Sequence, residues 1–150
     1  ASPIRPTAVT FHIANVGSGL CLGIKGSSTS GGANAVQGEC NGSSATQTWR
    51  IRQTTVIGGI EGWQLQNNVG LCLGVTGASS SSGARVVQGA CGPKSDHSQF
   101  WRPDNPANGM FRNGHSGMCM GIQGSSTSGG AQVIQGHCNT SSPTQRWTIY

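Results

Sequence analysis

The sequence predicts an all-β domain assembled from three tandem copies of one unit around a pseudo-threefold axis. Three observations lead there. First, a stretch bounded by two cysteines recurs almost unchanged: CLGIKGSSTSGGANAVQGEC from Cys21, CLGVTGASSSSGARVVQGAC from Cys72 and CMGIQGSSTSGGAQVIQGHC from Cys119. Second, each copy closes on Gln-x-Trp, as Gln47-Thr48-Trp49, Gln99-Phe100-Trp101 and Gln145-Arg146-Trp147. Third, apolar residues alternate over a few positions, as in Phe11-x-Ile13 and Leu71-x-Leu73-x-Val75, with Gly and Ser clusters between the runs. That is strand and turn patterning, and no stretch sustains a helical period.

Upstream of each copy, Phe11-His12-Ile13-Ala14-Asn15, Trp63-Gln64-Leu65-Gln66-Asn67 and Gly109-Met110-Phe111-Arg112-Asn113 occupy matching places. The repeats therefore run at about 11–52, 61–103 and 109–150, each with about four short strands, and residues 1–10 read as a linker or extended segment. A unit this small cannot bury its own apolar face, so the three must stack on a shared core. The 25 glycines and 6 prolines, with only 9% charged residues, suit short strands joined by tight turns.

The six cysteines fall two per repeat at one fixed spacing, which argues for bridges Cys21–Cys40, Cys72–Cys91 and Cys119–Cys138. Pairs so far apart, without a second close Cys or His pair, lack the ligand spacing of a zinc site. Disulfides place the chain in an oxidising compartment, so a secreted protein is expected. The start Ala1-Ser2-Pro3-Ile4-Arg5-Pro6 reads as the new N-terminus left by removal of a signal peptide. No apolar run is long enough to span a membrane.

The formal charge is +5, with only Glu39, Glu61, Asp96 and Asp104 as acids. This balance favours anionic partners such as acidic glycans, or serves solubility alone. The nine basic residues are scattered rather than striped with aromatics, so nucleic acid is not expected as a partner.

Taken together, the repeats resemble those of the ricin-B-type lectins and related carbohydrate-binding modules. Those read Cys-Leu-Asp, a Gly-Ser-Thr-Gly turn, Val-Gln before an aromatic and Cys, then Asn-Gln-x-Trp. The resemblance covers residues 11–150 and implies a β-trefoil of six hairpins, three forming a short barrel and three a cap. It places Trp49, Trp101 and Trp147 in the shared core, since a Trp recurring once per repeat most simply fills the centre. Phe11, Trp63, Phe111 and Tyr150 are expected in the core as well. Phe100, at the middle of Gln-x-Trp where Thr48 and Arg146 stand in the other copies, is expected to point outward.

In the family, a simple-sugar pocket takes an Asp after Cys-Leu to accept hydroxyl hydrogen bonds, an aromatic before the second Cys to stack on the ring, and an Asn before Gln-x-Trp. Here those places hold Gly23, Gly74 and Gly121, then Gly38, Gly89 and Gly136, then Thr46, Ser98 and Thr144. What remains of the pattern is a glutamine pair per repeat: Gln37 with Gln47, Gln88 with Gln99 and Gln135 with Gln145. Two readings of the glutamines stay open, hydrogen bonding to buried backbone or contact with a ligand. The candidate carbohydrate-binding residues are thus Gln37, Thr46, Gln47, Gln88, Ser98, Gln99, Gln135, Thr144 and Gln145. A galactose site of the usual kind is not expected. A polysaccharide lying along the surface suits a glycine floor better, because glycine lets a ligand approach the main chain.

Catalysis finds little material. The four acids include no pair at a recognisable spacing for glycoside hydrolysis. Asp96, His97 and Ser98 are sequence neighbours whose side chains are expected to point apart, and Met118 spoils the resemblance of Gly114-His115-Ser116-Gly117 to a nucleophile elbow. No cofactor or metal is implied. The expectation is a binding module for a glycan or polysaccharide, multivalent through three faces. The alternative is a sugar-silent trefoil that binds a protein partner or inhibits a protease through segments 92–98 or 53–61, or serves a fused catalytic or toxin domain.

Overall fold

The computed structural model describes residues 6–104 and 109–150, so the first half of the expected N-terminal linker lies outside the described residues. The described chain is all-β, with four strands in each repeat. The first holds β1 (Ile13–Asn15), β2 (Cys21–Ile24), β3 (Ala35–Gly38) and β4 (Trp49–Ile57). The second holds β5 (Ile60–Asn67), β6 (Cys72–Val75), β7 (Val86–Gly89) and β8 (Trp101–Asp104). The third holds β9 (Met110–Asn113), β10 (Cys119–Ile122), β11 (Val133–Gly136) and β12 (Trp147–Ile149).

The outer strands of each repeat close a barrel. Antiparallel ladders join β12 to β1, β4 to β5 and β8 to β9. Trp63 pairs with Trp101 between β5 and β8, and Phe11 bridges to Trp49. The last seam closes where the Trp147 N–H donates to the Gly109 carbonyl at 2.8 Å. The inner hairpins β2–β3, β6–β7 and β10–β11 cap it, each with the same four-pair register, Cys21 opposite Gly38 in the first copy.

The repeated tryptophans do the same work three times. Trp49, Trp101 and Trp147 are at most 4% exposed. Their indole N–H groups donate to the carbonyls of Leu22, Leu73 and Met120 at 3.0 to 3.1 Å. A ring that spans barrel and cap and has its polar edge satisfied contributes packing without leaving an unpaired donor. Around them Phe11, Ile13, Leu22, Trp63, Leu65, Leu73, Phe111 and Met120 fill one contiguous core. Each repeat carries its own disulfide, Cys21–Cys40, Cys72–Cys91 and Cys119–Cys138, pinning the start of its cap hairpin to the segment that follows it.

Two aromatics depart from the sequence expectation. Phe100 is fully buried rather than outward, and the cause is a break in the threefold symmetry. Segment 53–61 is the end of a long β4–β5 hairpin rather than an open loop. The β-branched run Thr54-Thr55-Val56-Ile57 favours strand, and Gly58 and Gly59 supply the two positive φ angles, 59° and 80°, that a two-residue hairpin turn needs. That hairpin lies over repeat 2: a Cβ on Gly62 would stand 3.4 Å from the Phe100 Cβ, and the Arg102 guanidinium donates to the Ile57 carbonyl. Phe100 therefore lies beneath a neighbouring strand instead of solvent. Tyr150 departs in the other direction: it is 58% exposed, just beyond the end of β12.

Candidate functional site

The two glutamines of each repeat have different fates. Gln37, Gln88 and Gln135, on the last turn of β3, β7 and β11, are fully buried. Each reaches into another repeat. The Gln37 amide donates to the Ser126 and Ser128 carbonyls, Gln88 to those of Ser28 and Ser30, and Gln135 to those of Ser79 and Ser81, all at 2.9 to 3.0 Å. Their oxygens accept from Ser18, Asn67 and Ser116. Repeat 1 thus clasps the glycine-serine loop of repeat 3, repeat 3 that of repeat 2, and repeat 2 that of repeat 1. Each of these amides spends three of its four hydrogen-bonding places on interlocking the cap, and Gln37 also lines a cleft in repeat 1.

The Gln-x-Trp glutamines are half-buried and act within their own repeat. Gln47 takes the Asn41 N–H on its oxygen and donates to the Glu39 carbonyl, both at 2.8 Å. Gln99 does the same with Gly92 and Ala90, and Gln145 with Asn139 and His137. Two of the amide's four hydrogen-bonding places are so occupied in Gln47 and Gln145. In Gln99 the oxygen also accepts from Gln64. Thr46, Ser98 and Thr144 are at most 5% exposed, and their hydroxyls bond locally to Ser44, Asp96 and Ser142. Asp96 and Ser98 do not point apart as expected: the Ser98 hydroxyl and N–H both donate to the Asp96 carboxylate, capping the short turn His97–Gln99.

In repeats 1 and 2 a shallow cleft lies between the cap hairpin and its Gln-x-Trp segment. In repeat 1 it measures about 220 Å³, with Gly23, Val36 and Gly38 as floor, Gly26 and Ser27 along one wall, and Gln47 along the other. In repeat 2 it measures about 200 Å³, with Gly74, Val87 and Gly89 below and Gly77, Ala78 and Gln99 at the sides. The two glycines of the floor are not alike. A Cβ on Gly23, Gly74 or Gly121 would stand 2.8 to 2.9 Å from the Cγ of Gln47, Gln99 or Gln145, so that glycine lets the glutamine lie flat on the strand. A Cβ on Gly38, Gly89 or Gly136 meets the same amide nitrogen no closer than 3.6 Å, which is ordinary contact. Along the wall, Ser27, Ala78 and Ser125 share a left-handed φ of 51° to 52°. A side-chain-bearing residue held there in all three copies marks local strain beside the cleft.

Sequence reasoning missed a recurring buried asparagine that in two of the three copies ties one repeat to another. Asn15, Asn67 and Asn113 are fully buried or nearly so. Their oxygens accept turn N–H groups of residues 17, 69 and 115, while their nitrogens donate to Thr144, Gln88 and Ser98. Their recurrence in phase with the cysteines was the available signal. Gln132 carries no such signal: its amide nitrogen meets the carbonyls of Ala35, Val86 and Val133, one from each repeat, at 2.8 to 3.3 Å.

Comparison with known proteins agrees with this architecture. Residues 9–147 match the family model of the ricin-type beta-trefoil lectin domain. A search of curated protein sequences found no match. Among solved structures, the designed 3-fold symmetric protein ThreeFoil is similar over 95% of this chain and 98% of its own, with 30% identity and a TM-score of 0.83. The exo-beta-1,3-galactanase 1,3Gal43A from Clostridium thermocellum is similar over 97% of this chain but 31% of its own, with 21% identity and a TM-score of 0.82. The C-half of the earthworm R-type lectin, solved in complex with GalNAc, is similar over 95% of this chain and 98% of its own, with 14% identity and a TM-score of 0.72. With its fold, its disulfides and its three Gln-x-Trp closures in register with that model, the chain belongs to the ricin-type β-trefoil lectin domain family.

Proposed function

We propose that this domain is a secreted, non-catalytic carbohydrate-binding module that holds an extended glycan along shallow, glycine-floored clefts. The observation that carries the reading is the recurrence of one cleft at the same place in repeats 1 and 2, with volumes of about 220 and 200 Å³. Shallow, glycine-floored clefts with no aromatic ring in their lining suit an elongated chain better than a single buried galactose. At the first of the three departed positions the packing is tight: Gly23 lies under Gln47, so an Asp there would displace the amide that holds residues 39–41. Repetition of the site on the three related faces makes binding multivalent, with weak sites combining through avidity. Three disulfides support export, and the charge of +5 supports an anionic polymer as ligand. The acids support binding over catalysis, since Asp96 caps a turn, Asp104 pairs with Arg112 at 2.9 Å and Glu61 accepts from the Trp63 indole.

The adapter reading keeps one observation, the exposed Val56 and Ile60 at the tip of the β4–β5 hairpin, and loses Phe100. A glycan array that includes acidic polymers separates the two. Retention on a polysaccharide supports the module, and retention falling as salt rises identifies the charge as part of the contact. No binding to any glycan, with a protein partner lost on changing Val56 and Ile60 to Ser, would favour the adapter.

A further inference from the structure

The three repeats share the paired strand glycines and the glutamine over them but not their surroundings. On the barrel wall of each stands a cross-strand pair from the start of one repeat and the end of a neighbouring strand. In repeat 2 the pair is Gln64 with Gln53, and it is closed. Gln64 is fully buried, its oxygen taking Arg52 and Gln53 and its nitrogen donating to the Gly92 carbonyl and to Gln99. In repeat 3 it is Met110 with Asp104; Met110 is buried, and Asp104 is held by Arg112. In repeat 1 it is His12 with Tyr150, joined by two backbone hydrogen bonds of 2.8 and 3.0 Å; here Tyr150 is exposed and His12 half-buried.

Those two side chains are aromatic and fixed in place. Their ring centroids lie 5.4 Å apart at 40°. The Tyr150 hydroxyl donates to the Cys21 sulfur at 3.0 Å, because a disulfide sulfur can only accept. His12 Nδ1 lies 2.9 Å from the Gln47 carbonyl. A carbonyl only accepts, so Nδ1 carries the proton and Nε2 of the neutral ring is left as a lone-pair acceptor. An open ring face beside a fixed acceptor is what a pyranose requires, with its apolar C–H face and its hydroxyl donors.

The pair adjoins the cleft through a shared residue. Gln47 holds His12 by its main chain and forms a wall of the cleft by its side chain. Cys21, which anchors Tyr150, precedes floor residue Gly23 by two places on β2, so both project to one strand face about 7 Å apart.

We propose that His12 and Tyr150 form a second saccharide subsite, present on repeat 1 alone, that stacks the sugar residue adjacent to the one held in the Gly23–Gly38 cleft. The inference rests on the glycan-binding reading above. It makes repeat 1 the principal site and the three faces unequal.

Affinity electrophoresis in gels cast with an arabinogalactan, a xylan or a polygalacturonate tests it, with dextran as control. On whichever polymer retards the wild-type protein, Tyr150→Ser lowers the association constant about tenfold, Tyr150→Phe keeps it within twofold, and His12→Phe lowers it several-fold by removing the acceptor. Thermal melts followed by the buried tryptophans confirm that each variant is folded, which exposed Tyr150 permits. Retardation of Tyr150→Ser equal to wild type overturns the subsite while leaving the clefts as glycan sites. Absence of retardation of the wild-type protein on all three polymers overturns both readings together.

Discussion

Replacing Gln88 by Ala should destabilise the domain more than the matching changes at Gln37 and Gln135, although the three stand at equivalent positions. Gln88 donates to the carbonyls of Ser28 and Ser30, which lie on an exposed or half-exposed loop and can turn to water once the amide is gone. Its oxygen, however, is the acceptor for Asn67 Nδ2, and Asn67 is fully buried. Gln37 and Gln135 instead receive the hydroxyls of Ser18 and Ser116, which are half-exposed and free to rotate. A buried donor left unpaired costs about 1–3 kcal/mol, and the loss of the loop clasp adds to it. A loss of about 2–3 kcal/mol for Gln88→Ala corresponds to a fall in Tm of roughly 5–10 °C in a chain of this length, against roughly half that for Gln37→Ala and Gln135→Ala. Melts of the three variants, followed by tryptophan fluorescence at fixed redox state, decide it. Equal and negligible shifts in all three would refute the claim that these amides lock one repeat to the next. A larger fall for Gln37→Ala than for Gln88→Ala would refute the role given to Asn67.

Gly23→Ala should cost about 1–2 kcal/mol by forcing Gln47 off the strand, whereas Gly38→Ala should be neutral or slightly stabilising, and urea midpoints of the two variants read the difference. Phe100→Ser should lower stability by about 3–5 kcal/mol, because the ring is fully buried under the β4–β5 hairpin; a melt unchanged from wild type would return Phe100 to the surface. Reduction of the disulfides under native conditions should lower the unfolding midpoint markedly, by about 3 kcal/mol for each loop closed, as denaturant titration with and without reductant would show.

What the sequence made legible was whatever repeats in phase within one unit. The cysteine spacing, the Gln-x-Trp closure and the alternation around Leu22, Leu73 and Met120 each report a contact between residues of the same copy, and the structure places all of them as read. What stayed illegible lies between copies. Gln37 and Gln47 look alike as amides in a repeat, yet one turns inward to clasp a loop 89 to 91 residues away while the other stays half-exposed beside the cleft. Phe100 looked exposed because Thr48 and Arg146 set the expectation, and only the extra length of one hairpin reverses it. Pairing of His12 with Tyr150 needs the barrel to close end to end, which no local pattern announces.

If the glycine-floored clefts are where glycan binds, filling them should block it. Gly38, Gly89 and Gly136 lie on strand ends with room for a Cβ, so Gly38→Leu, Gly89→Leu and Gly136→Leu can be combined to place a side chain over each floor without moving the glutamines. The measurement is the association constant of the triple variant for the polysaccharide that best retains the wild-type protein, with a thermal melt as the check on folding. The triple variant should fold and its binding should fall by more than tenfold. A folded triple variant that binds the polysaccharide as tightly as wild type would contradict it.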